Sequence, residues 1–141
     1  MNTGIASQFV PNLELGTEID AGHGKIKITS VSEAMKSPVY AKGTKTEGNK
    51  FVIIETVVTS MDAGSRLESI GFSLVSGKGV RFDKPSAYGK VEVLGRLHDF
   101  EATDGAVVYA HSKGDALNLF FEVPRSIHLN GLKLTYDAPQ K

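Results

Sequence analysis

The chain has 141 residues, 40% of them hydrophobic, with no cysteine and with 16 basic residues balanced by 16 acidic ones. This composition suits one globular domain, and the absence of cysteine excludes disulfides and thiolate metal sites such as zinc fingers. The zero net charge provides no overall field to attract nucleic acid or acidic membranes, and the apolar runs are shorter than the ~20 residues of a transmembrane helix.

The N-terminal region shows weak periodicity. Residues 1–23 are interpreted as an arm preceding the domain, with one short strand near Ile5–Val10 and a glycine-containing turn around His23. The region lacks both the charged segment and the apolar segment of a signal peptide. We therefore expect either a cytoplasmic protein or one whose targeting segment or lipid anchor was removed.

Strand patterns alternate with turns in the first half of the domain. Ile26 and Ile28 alternate with lysines, and a helical turn is predicted at Ser32–Lys36, before a loop that carries lysines and glycines. Asn49–Ser60 is rich in β-branched residues and apolar on both faces, which predicts a central strand with a partly covered outer face. Gly71–Phe82 has the pattern of a hairpin.

The second half contains the clearest alternation. Val91 and Val93 predict a short strand, 96–105 is interpreted as a polar loop, and 106–111 is strand-like. In 117–136, two alternating runs predict two strands of an antiparallel sheet that is covered on one side only.

Together these elements predict one all-β domain over residues 24–141. About seven to nine short strands separated by turn residues, without a convincing helix, are typical of an antiparallel sandwich or barrel. The side chains expected to face its core are Ile26, Ile28, Val52, Ile54, Val58, Phe72, Leu74, Phe82, Val91, Val93, Leu117, Leu119, Phe121, Leu132, Leu134 and Tyr136.

Three stretches, in this order, carry a family resemblance. They are EGNKFVIIETVVTS at 47–60, GFSLVSGKGVRF at 71–82, and HSKGDALNLFFEVPRS at 111–126 followed by LKLTY. They resemble a bacterial family of immunoglobulin-like domains of unknown function that occurs in surface lipoproteins and secreted proteins. The match covers about residues 24–138 and is most specific at Phe121-Glu122-Val123-Pro124.

The resemblance implies an immunoglobulin-like β-sandwich in an extracytoplasmic location, at the cell surface or in the periplasm. Ser60 stands where the family usually has asparagine, and Lys113 where it usually has the turn proline. No functional residue carries over, because the family has no shared active site that maps onto this chain.

Acidic and histidine side chains provide the candidate ion sites. Asp99, Glu101 and Asp104 supply three carboxylates in one short segment, the oxygen ligands that calcium prefers, although their spacing differs from that of the twelve-residue calcium loop. The alternative is an ordinary solvated loop. The histidines lie in separate segments without the close spacing of metal ligands, which favours surface or turn positions; they are His23, His98, His111 and His128.

Two surface features remain. Phe120 lies on the polar side of its strand, so the alternation predicts that it points away from the core, with Val107 and Tyr109 as its neighbours. This apolar patch is either a contact surface or a site that the N-terminal arm covers through Phe9 and Val10. The mildly basic loop is expected to be solvated rather than a single-strand nucleic-acid groove; its residues are Lys42, Lys45 and Lys50, with Tyr40 nearby.

These observations assign no catalytic, cofactor-binding or metal-ligating residue, and the chain has no nucleophile elbow or phosphate-binding glycine loop. The sequence therefore predicts a non-catalytic immunoglobulin-like module for protein–protein contact, self-association or structural spacing. The first alternative is a module that binds calcium or a small ligand through loops at one end of the sandwich. An enzyme with a triad assembled by the fold is the last.

Overall fold

The computed structural model describes residues 13–103 and 106–137. Within these ranges the chain forms eleven strands and two short 3₁₀ turns, at Ser69–Gly71 and Leu129–Gly131. The strands are β1 Glu18–Asp20, β2 Gly24–Ala34, β3 Asn49–Met61, β4 Leu67–Glu68, β5 Phe72–Val75, β6 Arg81–Phe82, β7 Ser86–Val93, β8 Arg96–Ala102, β9 Tyr109–Ala110, β10 Asn118–Pro124 and β11 Lys133–Tyr136.

The strands form two main sheets and a small one, and all pairs are antiparallel. The larger sheet has six strands in the order β1-β2-β3-β10-β7-β8, the second has the order β11-β5-β6, and β4 pairs with β9. The inner residues Ile26, Ile54 and Leu119 of the larger sheet share one core cluster with Phe72 and Leu134 of the second. This arrangement confirms the predicted all-β antiparallel sandwich.

The sequence alternation explains the core. In β3, Val52, Ile54 and Val58 are buried on the inner face, while Phe51 is buried on the opposite face, so the prediction of a central strand with a covered outer face is confirmed. Twelve of the sixteen predicted core side chains are buried, and Phe82 and Tyr136 pack against the core while remaining partly exposed.

The prediction is wrong for Val91 and Val93, which are 46% and 47% exposed. They lie in the hairpin formed by β7 and β8, in which every residue from 90 to 99 is exposed. Strand β10 pairs with β7 only at Ser86–Tyr88, so the rest of the hairpin extends beyond the sheet and has no core to bury its alternating apolar residues.

Several predicted local structures are corrected by strand pairing. The helical turn at Ser32–Lys36 is wrong, because β2 continues to Ala34 and pairs there with Phe51; tertiary pairing outweighs local propensity. The predicted polar loop at 96–105 is instead strand β8 over Arg96–Ala102, since an exposed edge strand accommodates a polar sequence.

The N-terminal boundary and the two final strands also differ from expectation. Strand β1 pairs with β2, and Leu13 and Ile19 belong to the core, so the predicted division at residue 23 does not coincide with a break in the packing. The predicted strand near Ile5–Val10 lies outside the described residues. Strands β10 and β11 are confirmed, but they belong to opposite sheets.

Candidate functional site

The outer face of the larger sheet carries a second apolar cluster, away from the main core. Phe120 on β10 is 3% exposed and Phe51 on β3 is 6% exposed, and their rings meet edge-on with centroids 5.4 Å apart. Tyr88 on β7 lies on the other side of Phe120, at 6.1 Å. Phe120 therefore faces away from the main core, as predicted, but it is covered, and the alternative of an exposed contact patch is wrong.

The predicted neighbours of Phe120 lie elsewhere. Strand β10 pairs with β3 and β7, and not with β9, which carries Tyr109. The ring of Tyr109 faces the guanidinium of Arg66 at 4.4 Å and the ring of His111 at 6.0 Å. The alternative, a cover provided by Phe9 and Val10, falls on residues outside the described part of the chain.

A loop between β2 and β3, which we call the 35–48 loop, is anchored over this outer face by two glutamates. Glu122 on β10 accepts hydrogen bonds from the backbone N–H groups of Lys45, at 2.7 Å, and Thr46, at 2.9 Å, and from the side-chain amide of Asn49, at 2.8 Å. One end of the loop is therefore attached to the middle of the sheet.

Glu101 on β8 anchors the other end. Its carboxylate accepts the backbone N–H of Val39 at 2.6 Å, the backbone N–H of Tyr40 at 3.1 Å and the hydroxyl of Ser37 at 3.0 Å. The Ser37 oxygen in turn accepts the backbone N–H of Lys42 at 2.9 Å. Charge-assisted bonds of this kind are stronger than neutral ones, so the loop is held in one position.

Hydrogen bonding determines the ionisation of Glu122. Burial by itself raises the pKa of this carboxyl, but the donors from Lys45, Asn49 and Thr46 outweigh burial, with the Lys45 charge adding to them. The net result is a pKa below the ordinary value, so the carboxylate that holds the loop remains charged at neutral pH.

A cleft of about 600 Å³ lies beside this cluster. The 35–48 loop contributes one set of lining residues, the segment from β6 to β7 another, and β3, β8 and β10 the rest. The lining residues are Ser37, Lys42, Gly43, Lys45, Thr46, Phe51, Phe82, Asp83, Lys84, Pro85, Ser86, Glu101, Thr103, Phe120, Phe121 and Glu122.

A second, more open groove follows β7 on the other side of the 35–48 loop. It contains the hydrogen bond from the Tyr88 hydroxyl to the Glu55 carboxylate, at 2.6 Å. Burial raises the pKa of Tyr88 well above its usual value, and the bond to Glu55 and the negative charge of Glu55 raise it further. The phenol therefore remains protonated and acts as the donor.

The β7–β8 hairpin presents apolar side chains to solvent. Leu94 is 98% exposed and Leu97 is 67% exposed, and Val91 and Val93 are half-exposed. Leu97 pairs with Glu92, so it lies on the opposite face of the hairpin from the two valines. The two-residue turn joins Val93 to Arg96 through Leu94 and Gly95, both at positive φ. A turn of this type favours Asn-Gly or Asp-Gly, which is why the Leu-Gly pair did not indicate a hairpin in the sequence.

The carboxylates proposed for calcium already have partners. Asp99 pairs with Lys90 at 2.7 Å across the hairpin, and Glu101 accepts the three hydrogen bonds from the 35–48 loop. Asp104 lies outside the described residues. Within the part of the chain that the structure describes, no three histidine, aspartate or glutamate side chains form a group that could hold a metal.

The remaining predicted residues lie apart from one another. His23 is 3.6 Å from Asp62, with both side chains largely exposed. His98 lies on β8, His111 follows β9 and His128 precedes the second 3₁₀ turn. In the basic group, Lys42 and Lys45 line the cleft, whereas Lys50 lies on β3 and binds the Glu33 carboxylate and the Ile127 carbonyl oxygen.

None of the helical turns in the described ranges is long and apolar enough to cross a membrane.

No protein-family model matches the chain, and no curated protein matches it. Among solved structures, it is similar to an uncharacterized β-sandwich protein from Clostridium difficile 630. The two share 12% sequence identity with a TM-score of 0.52, over 89% of this chain and 87% of that one. At this identity the likeness shows the fold alone: in architecture, the chain is similar to an uncharacterized bacterial β-sandwich protein.

Proposed function

We propose that this chain is a non-catalytic, immunoglobulin-like module that associates with a second copy of itself through the β7–β8 hairpin. The observation that carries the proposal is the exposure of Leu94 and Leu97, at 98% and 67%, on an element that extends beyond the sandwich. Exposed apolar side chains grouped on one projecting element are typical of contact surfaces.

The backbone and the charge of the protein favour this partner. Strand β8 is an edge of the six-stranded sheet, so the N–H and C=O groups on its outer side are available for pairing with another strand. Basic and acidic residues balance at 16 each, so two copies approach without net repulsion. Of the charged side chains on the hairpin, Lys90 and Asp99 already neutralise each other.

Analytical ultracentrifugation tests this proposal directly. We expect concentration-dependent dimerisation of the wild-type chain between about 1 µM and about 1 mM, the range of modest interfaces. The double variant Leu94→Ser/Leu97→Ser should remain monomeric over the same range, with a melting temperature equal to that of the wild type at the lowest concentration, where both are monomers. Leu15→Ser is the matched control, because Leu15 is 68% exposed at a different place and should leave dimerisation intact. A wild-type chain that is monomeric throughout would contradict the proposal.

The proposed location is the bacterial cell surface or periplasm. The resemblance to domains of surface lipoproteins and secreted proteins supports it, and the bacterial source of the structural neighbour agrees with a bacterial origin. Fractionation of the native host, with an antibody against this chain, tests the location. Recovery in the cytoplasmic fraction would overturn it, without affecting the test of the hairpin.

A further inference from the structure

We propose that the cleft beside the 35–48 loop binds a small organic acid, with its carboxylate near Lys42 and Lys84 and an aromatic body against Phe82. This inference is independent of the proposed contact function, because the cleft and the hairpin tip share no lining residue. The cleft volume of about 600 Å³ lies within the range of small-molecule sites.

Aromatic side chains form the apolar part of the cleft. Phe51 and Phe120 are packed against each other at its base, and Phe82 and Phe121 also line it. Phe82 is only partly buried, so it retains surface that a ligand can cover. Aromatic pairs favour offset or edge-to-face contacts, which a flat ligand ring can extend.

The acidic residues of the cleft are already satisfied by the protein. Glu101 and Glu122 accept the hydrogen bonds of the 35–48 loop, and Asp83 accepts the Ser73 hydroxyl at 2.5 Å and lies 3.5 Å from the Arg81 guanidinium. Hydrogen bonds thus hold all three carboxylates in place, and Arg81 lies beside one of them. Three lysines and three carboxylates line the cleft, so its formal charges balance and an anion is attracted where the lysine ammonium groups lie.

The lysines supply the positive charge. Lys45 contributes its charge beside Glu122, which leaves Lys42 and Lys84 as the cations available to a ligand. The ammonium of Lys42 lies 5.8 Å from the ring centroid of Tyr40, which is half-exposed and belongs to the same loop. Lys42 belongs to the 35–48 loop and Lys84 to the segment between β6 and β7, so the two cations are contributed by different walls of the cleft.

Backbone conformation provides an independent indication. Three non-glycine residues of the described chain have positive φ, and one of them, Lys84 at 54°, lines this cleft. A second, Ala41 at 52°, does not line the cleft but directly precedes Lys42, which does. The third is Leu94 in the hairpin turn. Non-glycine residues in the left-handed region cost free energy and cluster at ligand sites, where they position side chains.

Amide chemical shifts of the isotope-labelled protein, titrated with naphthoate, test the site. The experiment uses the Leu94→Ser/Leu97→Ser background, so that the exposed hairpin does not bind the probe. We expect the resonances of residues lining the cleft to shift with a Kd of about 1 mM, as expected for a small ligand. Neutral naphthamide should bind at least about tenfold more weakly because it lacks the negative charge. Inorganic phosphate should also bind at least about tenfold more weakly because it lacks the aromatic ring.

Two substitutions probe the cations. Lys42→Gln and Lys84→Asn should each weaken naphthoate binding by about tenfold, the effect of losing one charge-assisted contact. Asparagine is chosen at 84 because it tolerates positive φ, so the backbone is preserved. Lys113→Gln, at an exposed lysine outside the cleft, is the control and should leave the Kd unchanged.

The outcomes separate the alternatives. Shifts confined to residues outside the cleft, or no saturable shift, would overturn the site. Equal Kd values for naphthoate and naphthamide would overturn the role of the lysines. Equal Kd values for naphthoate and phosphate would overturn the proposal that an aromatic ring of the ligand is recognised. None of these results depends on whether the hairpin mediates dimerisation.

Discussion

Phe120 and Phe51 form an edge-to-face pair on the outer face of the larger sheet, with ring centroids 5.4 Å apart and planes at 82°. The pair lies on the opposite side of the sheet from the main core, and Phe120 is nevertheless only 3% exposed. The outer face thus has a small apolar core of its own beneath the 35–48 loop.

The first prediction concerns this second core. Phe120→Ser should lower the free energy of unfolding by about 3 to 5 kcal/mol, because the substitution removes a buried ring and places a hydroxyl there. Urea denaturation followed by circular dichroism measures the loss. Leu97→Ser, at an exposed position in the hairpin, should change the stability by less than about 0.5 kcal/mol. Similar stabilities for both variants would mean that Phe120 is not a packing residue.

Phe120 also shows how far the sequence could specify this fold. Period-two alternation correctly separates Leu119 and Phe121, which face the main core, from Phe120, which faces the other side. Alternation does not tell whether the other side is covered. The cover depends on the backbone N–H groups of Lys45 and Thr46, which donate to the Glu122 carboxylate from 77 and 76 residues away in the chain. No local pattern encodes such pairing.

The β7–β8 hairpin shows the converse limit. Alternation correctly predicts that Val91 and Val93 lie in a strand, but their burial depends on whether another sheet lies opposite them. Since the β10 pairing with β7 ends at Tyr88, these residues have no layer to pack against. The exposure of this hairpin and the shape of the cleft both depend on where distant segments pack, so the sequence could predict the architecture but not these two features.

The second prediction is a pH dependence that arises from Glu122. Its pKa in the folded protein is below the ordinary value of 4.5, so its contribution to stability is complete above pH 4.5 and is lost as the pH falls through the folded-state pKa. Glu122→Gln should therefore have a lower melting temperature than the wild type at pH 7. The difference should narrow progressively below pH 4.5, where the wild-type carboxylate becomes protonated.

Thermal melts from neutral to acidic pH measure this difference. Glu92→Gln is the control, because Glu92 is exposed on β7 and its replacement should leave both the melting temperature and its pH profile close to the wild type. A constant difference between wild type and Glu122→Gln at every pH would show that shape, and not charge, accounts for the effect.

The third prediction concerns the bond from Tyr88 to Glu55. Tyr88→Phe removes the 2.6 Å hydrogen bond to a carboxylate and should lower the free energy of unfolding by about 1 to 2 kcal/mol. Because burial and Glu55 raise the pKa of Tyr88, this contribution should be complete below pH 10.0 and decline at higher pH. Tyr109→Phe, at a tyrosine that is 40% exposed, should be nearly neutral in the same denaturation experiment. An equal loss in both variants would show that the effect does not come from the bond to Glu55.

The last prediction tests the close approach between strand β11 of the second sheet and the 3₁₀ turn at Ser69–Gly71. A methyl group at Gly71 would collide with the ring of Tyr136 and would come within 2.9 Å of the Asp137 carbonyl oxygen. The Tyr136 ring is packed against Phe72, with centroids 4.7 Å apart, and its hydroxyl accepts the backbone N–H of Glu68, so it cannot move without breaking both contacts.

Gly71→Ala should therefore destabilise the fold by about 1 to 3 kcal/mol, the usual cost of overpacking. Chemical denaturation provides the measurement, and a loss of the near-ultraviolet tyrosine signal should accompany it. Gly131→Ala is the matched control, because a methyl group there meets no atom within 4 Å and its φ is not in the left-handed region. If Gly71→Ala were as stable as Gly131→Ala, the tyrosine ring would be free to move aside, and β11 would be less tightly fixed against β5 than the pairing of Tyr136 with Phe72 indicates.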